Sequence, residues 1–281
     1  GPCPACGGTR RFVWFINNVW PLQNGYCSEC GCAIKAWEKV KLHVDPLKLE
    51  EYKRERERDE KERADYRARK LAEFTTAELW QELSARMTDD HILWWENQGI
   101  PRAIQTELRI GYTQDKAYYD DDRVLRHSPA YSIPWFGYGF KFNTMQYRLL
   151  DNSDRRYLFE GGLGGGRFYY MTEPEKPIGD KVIICEGAKK AIVTWFWLTE
   201  GFTILAASSA NTFDAALEAT KDCGLRYLVF DPDVKPYFRN KAIATNPKTT
   251  REIRLPFKID DGFLKYDLDR STFSKILETA L

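Results

Sequence analysis

Between residues 181 and 233 the sequence switches repeatedly between two patterns, and that alternation restricts the fold more than any other feature. VIICEG (182–187), FTILAAS (202–208) and RYLVFDPD (226–233) are short apolar runs. KKAIVTWFWLTEG (189–201) and DAALEATKDCG (214–224) read as helices, each closed by a glycine, Gly201 and Gly224. Strand alternating with helix predicts a parallel sheet with helices on its faces. In such a sheet ligands gather at the carboxyl ends of the strands. Glu186 ends the first run, with Gly187 directly after it, and Asp231 and Asp233 end the third. One intervening residue points both aspartates to the same side of an extended segment. Carboxylates brought together repel, and Mg²⁺ or Mn²⁺ resolves that repulsion. Such ions stabilise attacking and leaving oxygens in phosphoryl transfer, so Glu186, Asp231 and Asp233 are the candidate catalytic and metal-binding residues. Asp260 and Asp261, in LPFKIDDGF (255–263), are candidate outer members, and Asp261 is taken as a fourth magnesium ligand. Lys189 and Lys190 follow Glu186 by one turn and either neutralise a triphosphate or stand solvated on the outer face of the helix.

The N-terminal region carries a second constraint. Cys3-x2-Cys6-x20-Cys27-x2-Cys30 forms two knuckles able to supply the four thiolates that tetrahedral Zn²⁺ prefers. Glycines at 7, 8 and 31 follow the second cysteine of each pair, where the chain turns around the metal. A four-cysteine site is closed and therefore structural. Arg10, Arg11, Trp14, Lys35 and Trp37 interleave cations with aromatics, a composition suited to unpaired bases and phosphates, although aromatics here also serve as the ribbon's own core. Seven cysteines is an odd number, and nothing at the start reads as a signal peptide, so a disulfide framework is not expected and a reducing cytoplasm is.

Residues 49–74, LEEYKRERERDEKERADYRARKLAEF, contain no glycine or proline. Glu50/Arg54, Glu57/Lys61, Asp59/Arg63 and Asp65/Arg69 place an acid four residues before a base, each pair worth about 0.2–0.5 kcal/mol on a solvated helix. Without an apolar stripe this helix is expected to make few packing contacts. Thr75-x-x-Glu78 has the form of a capping box and predicts a new helix start, with Leu79, Leu83 and Met87 turned inward. Further helices are expected over 91–98 and from Pro101 to about Arg109, and short strands from Tyr131 onward. Gly161 to Arg167 lacks the Lys-Ser/Thr of a P-loop and reads as a hairpin. His43, His91 and His127 form no catalytic or metal-binding spacing. Lysine plus arginine (42) nearly cancels aspartate plus glutamate (41), which excludes a blanket polycation gripping nucleic acid by charge alone. No apolar run is long enough to span a membrane.

CPACGG with a following Arg-Phe, then CSECG, resembles the zinc domain of DnaG-type primases and phage primase-helicases. WWENQGIPRAIQTELRIGYT (94–113) is similar to the entry into that family's polymerase core, and SIPWFGYGFKFNTMQYRLLDNSDRRYLFEG (132–161) to the segment after it. VIICEGAKKA and YLVFDPDVK resemble the two Toprim signatures. The resemblance implies an α+β multi-domain chain: a β zinc ribbon over 1–44, a charged connecting helix over 45–74, the N-terminal part of a mixed α/β polymerase core over 75–178, and a Toprim α/β domain over 179–281. It implies an RNA primase acting on single-stranded DNA with NTPs, with the ribbon selecting the start site. Glu186 takes the place of the Toprim glutamate, Asp231 and Asp233 that of its metal-binding aspartates, and Arg148, Arg155 and Arg156 that of basic residues contacting template and nucleotide, beside Lys189 and Lys190. Pro232 stands where the bacterial enzymes usually have glycine, and LPFKIDDGF is closer to phage and mobile-element proteins, which implies a phage or plasmid source. No helicase P-loop is present, so unwinding is expected to come from a replicative helicase partner or from a further part of the protein. The competing readings are a Toprim nuclease using the same carboxylates and a catalytically inactive DNA-binding accessory of replication.

Overall fold

The computed structural model describes residues 12–15, 24–27, 33–34, 46–76, 79–151, 156–163, 169–198 and 201–280. The chain divides into two compact units, residues 1–64 and 65–281.

The first unit contains a three-stranded antiparallel sheet of β1 (Phe12–Phe15), β2 (Asn24–Cys27) and β3 (Ala33–Ile34), with β2 in the centre. Phe12 pairs with Cys27 and Gly25 with Ile34. Trp14 lies in β1 and Cys27 ends β2. The other predicted zinc ligands, Cys3, Cys6 and Cys30, lie outside the described residues, as do Arg10, Arg11, Lys35, Trp37 and Arg155.

Helix α1 (Pro46–Thr76) runs for 31 residues, and the division between the units falls within it. Among the described residues its ion pairs are Glu50–Lys53, Arg56–Glu60 and Lys70–Glu73, not the four expected from acid-first spacing. Long exposed side chains choose among several neighbours at three and four residues' distance, and each choice is worth little. The end of α1 departs from the solvated picture. Phe74 is buried and stacks on Phe142 at 5.9 Å, and Leu71 joins the same core. The new helix expected from residues 75–78 does follow, although Thr75 itself still belongs to α1. The Thr75 hydroxyl donates to the carbonyl of Leu71 at 2.7 Å within α1, which ends at Thr76, and the expected new helix starts at Leu79.

Three short helices follow: α2 (Leu79–Ala85), α3 (Asp89–Glu96) and α4 (Arg102–Glu107). Leu79, Leu83 and Met87 pack against the core as expected, but the fully inward residues are Trp80 and Trp95. Strands begin earlier than Tyr131. An antiparallel sheet of β4 (Gly111–Tyr119), β5 (Leu125–Gly137), β6 (Lys141–Leu149) and β7 (Tyr157–Phe159) is ordered β4-β5-β6-β7. Leu163 in the glycine-rich turn is buried.

The predicted alternation is realised as β8 (Tyr169–Met171), β9 (Lys181–Glu186), α5 (Ala188–Leu198), β10 (Thr203–Ala207), α6 (Phe213–Ala219), β11 (Leu225–Val229), α7 (Pro236–Ala244) and β12 (Thr250–Ile253), then α8 (Ile259–Lys265) and α9 (Arg270–Thr279). The sheet order is β12-β11-β9-β10-β8, parallel except for β8. Val182 to Cys185 of β9 are wholly buried between the helical layers, which is why that strand is apolar throughout rather than alternating. Glu186 sits opposite Ala207 of β10 at the carboxyl end of this central strand, and the Asp231–Asp233 segment leaves β11 on its other side.

Candidate active site

Gly187 makes the turn from β9 into α5 with φ of +92°, a conformation that glycine adopts without the strain a Cβ brings, and its N–H donates to the carbonyl of Ala207 at 2.7 Å. This turn leaves the Glu186 carboxylate half-buried at the sheet edge. Its Oε2 is buried with no hydrogen-bond partner among the described residues. Burial, and then the neighbouring Asp231 carboxylate, push the Glu186 pKa up, against opposing pulls from Lys190 and the backbone N–H groups of Asp231 and Ala210.

Asp231 is buried. Lys190 Nζ lies 2.7 Å from its Oδ1 and 2.8 Å from its Oδ2, and also donates to the carbonyl of Glu186 at 3.0 Å. Burial opposes the Lys190 charge, but Asp231, Asp260 and Glu186 outweigh it and raise the pKa. Lys258 Nζ stands 3.4 Å from Asp231 Oδ2. Asp260, in the first turn of α8, is buried too. Its Oδ2 lies 3.0 Å from Lys189 Nζ, which donates to Gln98 at 2.9 Å, while its Oδ1 is buried and unpartnered. Lys189 and Lys190 therefore face the acids and are not the solvated residues of the alternative expectation. Asp261 is more open and pairs with Lys265 at 2.8 Å. Asp233 is exposed.

Glu186, Lys189, Lys190, Lys258, Asp260, Asp261 and Lys265 border a cleft of about 390 Å³ whose lining includes neither Asp231 nor Asp233, and whose other wall comes from the antiparallel sheet through Gln146 and Arg148 of β6, Arg156 and Tyr157. The Arg148 guanidinium lies over the Trp94 ring at 4.3 Å, and Trp94 stacks on Tyr131. Six cations (Arg148, Arg156, Lys189, Lys190, Lys258, Lys265) and three acids (Glu186, Asp260, Asp261) line the cleft, a local excess of three positive charges on a nearly neutral chain. Lys258, Lys265, Gln98, Gln146 and Tyr157 were missed from sequence. Lys258 had a readable signal, since it stands two residues before Asp260.

As the side chains stand, no three acidic, histidine or cysteine side chains among the described residues form a group able to hold a metal ion. The chemistry of the donors nonetheless suits a hard divalent cation: Glu186 and Asp260 each present a buried carboxylate oxygen without a partner, an arrangement that is costly unless a cation satisfies it. No helix among the described residues is long and apolar enough to cross a membrane.

No known protein family's sequence profile matches the chain, and no curated protein matches it in sequence. Solved structures do. A DnaG primase catalytic domain bound to single-stranded DNA is 13% identical, with a TM-score of 0.60 over 77% of this chain and 83% of that one. The Aquifex aeolicus primase, comprising zinc-binding and RNA polymerase domains, is 14% identical with a TM-score of 0.53 over 97% of this chain and 80% of that one. In a bacteriophage T7 complex, lagging-strand DNA polymerase interacts with primase domains of two gp4 subunits bound to an RNA/DNA hybrid and dTTP. The match there is 13% identical, with a TM-score of 0.51 over 66% of this chain and 90% of that one. The chain has the fold of DnaG-type primase catalytic cores.

Proposed function

We propose that this chain is a DNA primase that makes short RNA primers from NTPs on a single-stranded DNA template, with its zinc ribbon selecting the start site. The observation that carries the reading is the two-walled cleft within this fold, acids and lysines on the wall from the parallel sheet, arginines on the wall from the antiparallel sheet. Glu186, Asp231 and Asp233, with Asp260 or Asp261 beside them, are the residues that would hold Mg²⁺ or Mn²⁺. When bound, the metal supplies charge stabilisation to an attacking 3′-hydroxyl and a departing pyrophosphate. Arg148 and Arg156 bind phosphates of template or nucleotide, and Trp94 beneath Arg148 keeps the guanidinium plane in place. Lys189, Lys190 and Lys258 neutralise the triphosphate. The new bond joins O3′ to the α-phosphorus, and the bond from that phosphorus to pyrophosphate breaks.

Zn²⁺ on Cys3, Cys6, Cys27 and Cys30 holds the ribbon folded, and Arg10, Arg11, Trp14, Lys35 and Trp37 contact the template. A Toprim nuclease would use the same carboxylates, but the surplus of cations fits a triphosphate substrate better than hydrolysis of a single backbone phosphate. A replicative helicase is the expected partner, and the host cytoplasm the expected compartment for a phage-encoded enzyme. Incubation with labelled NTPs and single-stranded templates spanning all triplets should yield short RNA from a subset of triplets. Asp231→Ala and Asp233→Ala should each abolish nucleotide addition while template binding persists, since these acids do not attract phosphate. No RNA from any template, or normal synthesis by either variant, would refute the assignment.

A further inference from the structure

The turn carrying the two aspartates is gripped from behind by a residue that no motif singles out. Arg239 lies in the first turn of α7, and its side chain folds back over that helix start. Nη2 donates to the carbonyls of Asp231 and Pro232, both at 2.9 Å, and Nε donates to the carbonyl of Val234 at 3.1 Å. Nη1 donates to Glu252 of β12 at 3.1 Å, and Arg254 holds the same carboxylate at 2.9 Å. One planar guanidinium thus ties together three carbonyls of a four-residue segment and anchors them to the neighbouring strand. The other restraints act on its first residue, Asp231, whose N–H donates to the Glu186 carboxylate and whose side chain meets Lys190 and Lys258. The segment's internal backbone bond runs from the Val234 N–H to the Asp231 carbonyl at 3.1 Å, and Pro232 has no N–H to donate.

The two aspartates depend on this grip to different degrees. The Asp231 carboxylate is held on its far side by Lys190 and Lys258. The Asp233 side chain is exposed and has no hydrogen bond or ion pair among the described residues. Its position relative to Glu186 is therefore set by the backbone of the turn, and the turn is set by Arg239.

We infer that Arg239 is a positioning residue that fixes the Asp231-Pro232-Asp233 turn, and through it the affinity of the acidic cluster for a divalent cation. The inference rests on the metal role proposed above. It touches neither substrate nor metal itself, so its loss acts on metal affinity rather than on the chemical step. Partners that orient metal ligands typically contribute about 10–100-fold in affinity.

The test is Mn²⁺ titration of the full chain, followed by electron paramagnetic resonance, for the parent, Asp231→Asn, Arg239→Gln, Arg239→Lys and Glu252→Gln. Thermal melts and the Mg²⁺ dependence of primer synthesis are measured alongside. Arg239→Gln should weaken Mn²⁺ binding about tenfold or more. Half-saturation in Mg²⁺ should rise in parallel, with the maximal rate recovering at high metal, a split that a general loss of fold would not give. Arg239→Lys keeps the charge without the fork and should fall between. It decides the matter if Arg239→Gln does not fold. Glu252→Gln should have a smaller effect in the same direction. Parental Mn²⁺ affinity in folded Arg239→Lys and Arg239→Gln, while Asp231→Asn loses binding, overturns the positioning role alone. Undiminished binding by Asp231→Asn overturns the metal reading, and the inference with it.

Discussion

Replacing Lys190 by methionine tests how the acidic cluster is held together. The ammonium sits against both oxygens of Asp231, and the two side chains are only 16% and 12% exposed. Removing one partner of a buried pair costs about 3–5 kcal/mol, because it leaves the other charge desolvated and unpaired. Lys258, at 3.4 Å from Asp231 and half-exposed, offers partial compensation, so the lower end, about 3 kcal/mol, is expected. For a unit the size of residues 65–281 this corresponds to a fall in melting temperature of about 6–12 °C.

Replacing both partners, as Lys190→Met with Asp231→Leu, removes the stranded charge and should restore most of the loss. The variants are compared by thermal and urea unfolding in the presence of a chelator. A second arm adds Mn²⁺ to Lys190→Met. If the acids bind the cation, metal at about a hundredfold its Kd returns about 2.7 kcal/mol to the folded state. A single variant melting within about 2 °C of the parent would refute the stranded-charge argument, since that is worth less than about 1 kcal/mol. So would a double variant as unstable as the single one.

Three further outcomes are expected. The Glu186 pKa is raised above its ordinary 4.5, so the folded chain binds more protons than the unfolded one and loses stability as pH climbs through the raised value. Glu186→Gln should then be more stable than the parent above that window and equal to it below pH 4.5 when both are melted with chelator. Parallel pH profiles would contradict this. Elemental analysis of gently purified protein should find a single Zn²⁺ per chain that Cys27→Ser releases, and zinc-free parent protein would exclude the ribbon's metal. A chain starting at Asp65 should keep the core's melting temperature and lose start-site choice. A chain starting at Thr75 should melt lower, since loss of a buried Phe side chain alone costs about 3–5 kcal/mol. Equal melting of the two truncations would show that Phe74 contributes nothing.

The parallel sheet could be read directly because its strands are buried on both faces and therefore stand out as unbroken apolar runs between helices. The antiparallel sheet could be read only in part: strands from Tyr131 onward were expected, whereas β4 and the start of β5 were not. Strand β4 carries Gln114, Asp115 and Lys116 at an irregularity in its pairing with β5, and the far end of β5 starts with three exposed residues, Leu125, Arg126 and His127. A strand interrupted by a bulge and half exposed loses the period of two that marks it. The end of α1 failed for the opposite reason. Its composition is that of a solvated helix, and only Leu71 and Phe74, too sparse to form a stripe, commit it to the core. The capping sequence nonetheless marks the boundary to within a few residues, since α1 ends at Thr76 and α2 starts at Leu79.

The acids were legible for the same reason as the sheet, since topology alone sends strand ends to one edge. Their cations were ambiguous, although α5 held a usable clue. From Ala188 to Leu198 eight of its eleven residues are apolar, so the helix reads as apolar nearly all round, and the structure buries seven of the eleven. A helix of that kind lies inside the molecule, and charged residues in its first turn have little water to reach. Buried lysines require carboxylates, and the acids predicted at the adjacent strand ends were the available partners. Lys190 could have been paired with Asp231 on that ground before any coordinates. Arg239 could not, because its partners are three main-chain carbonyls, and a carbonyl leaves no mark in the identity of the residue that bears it.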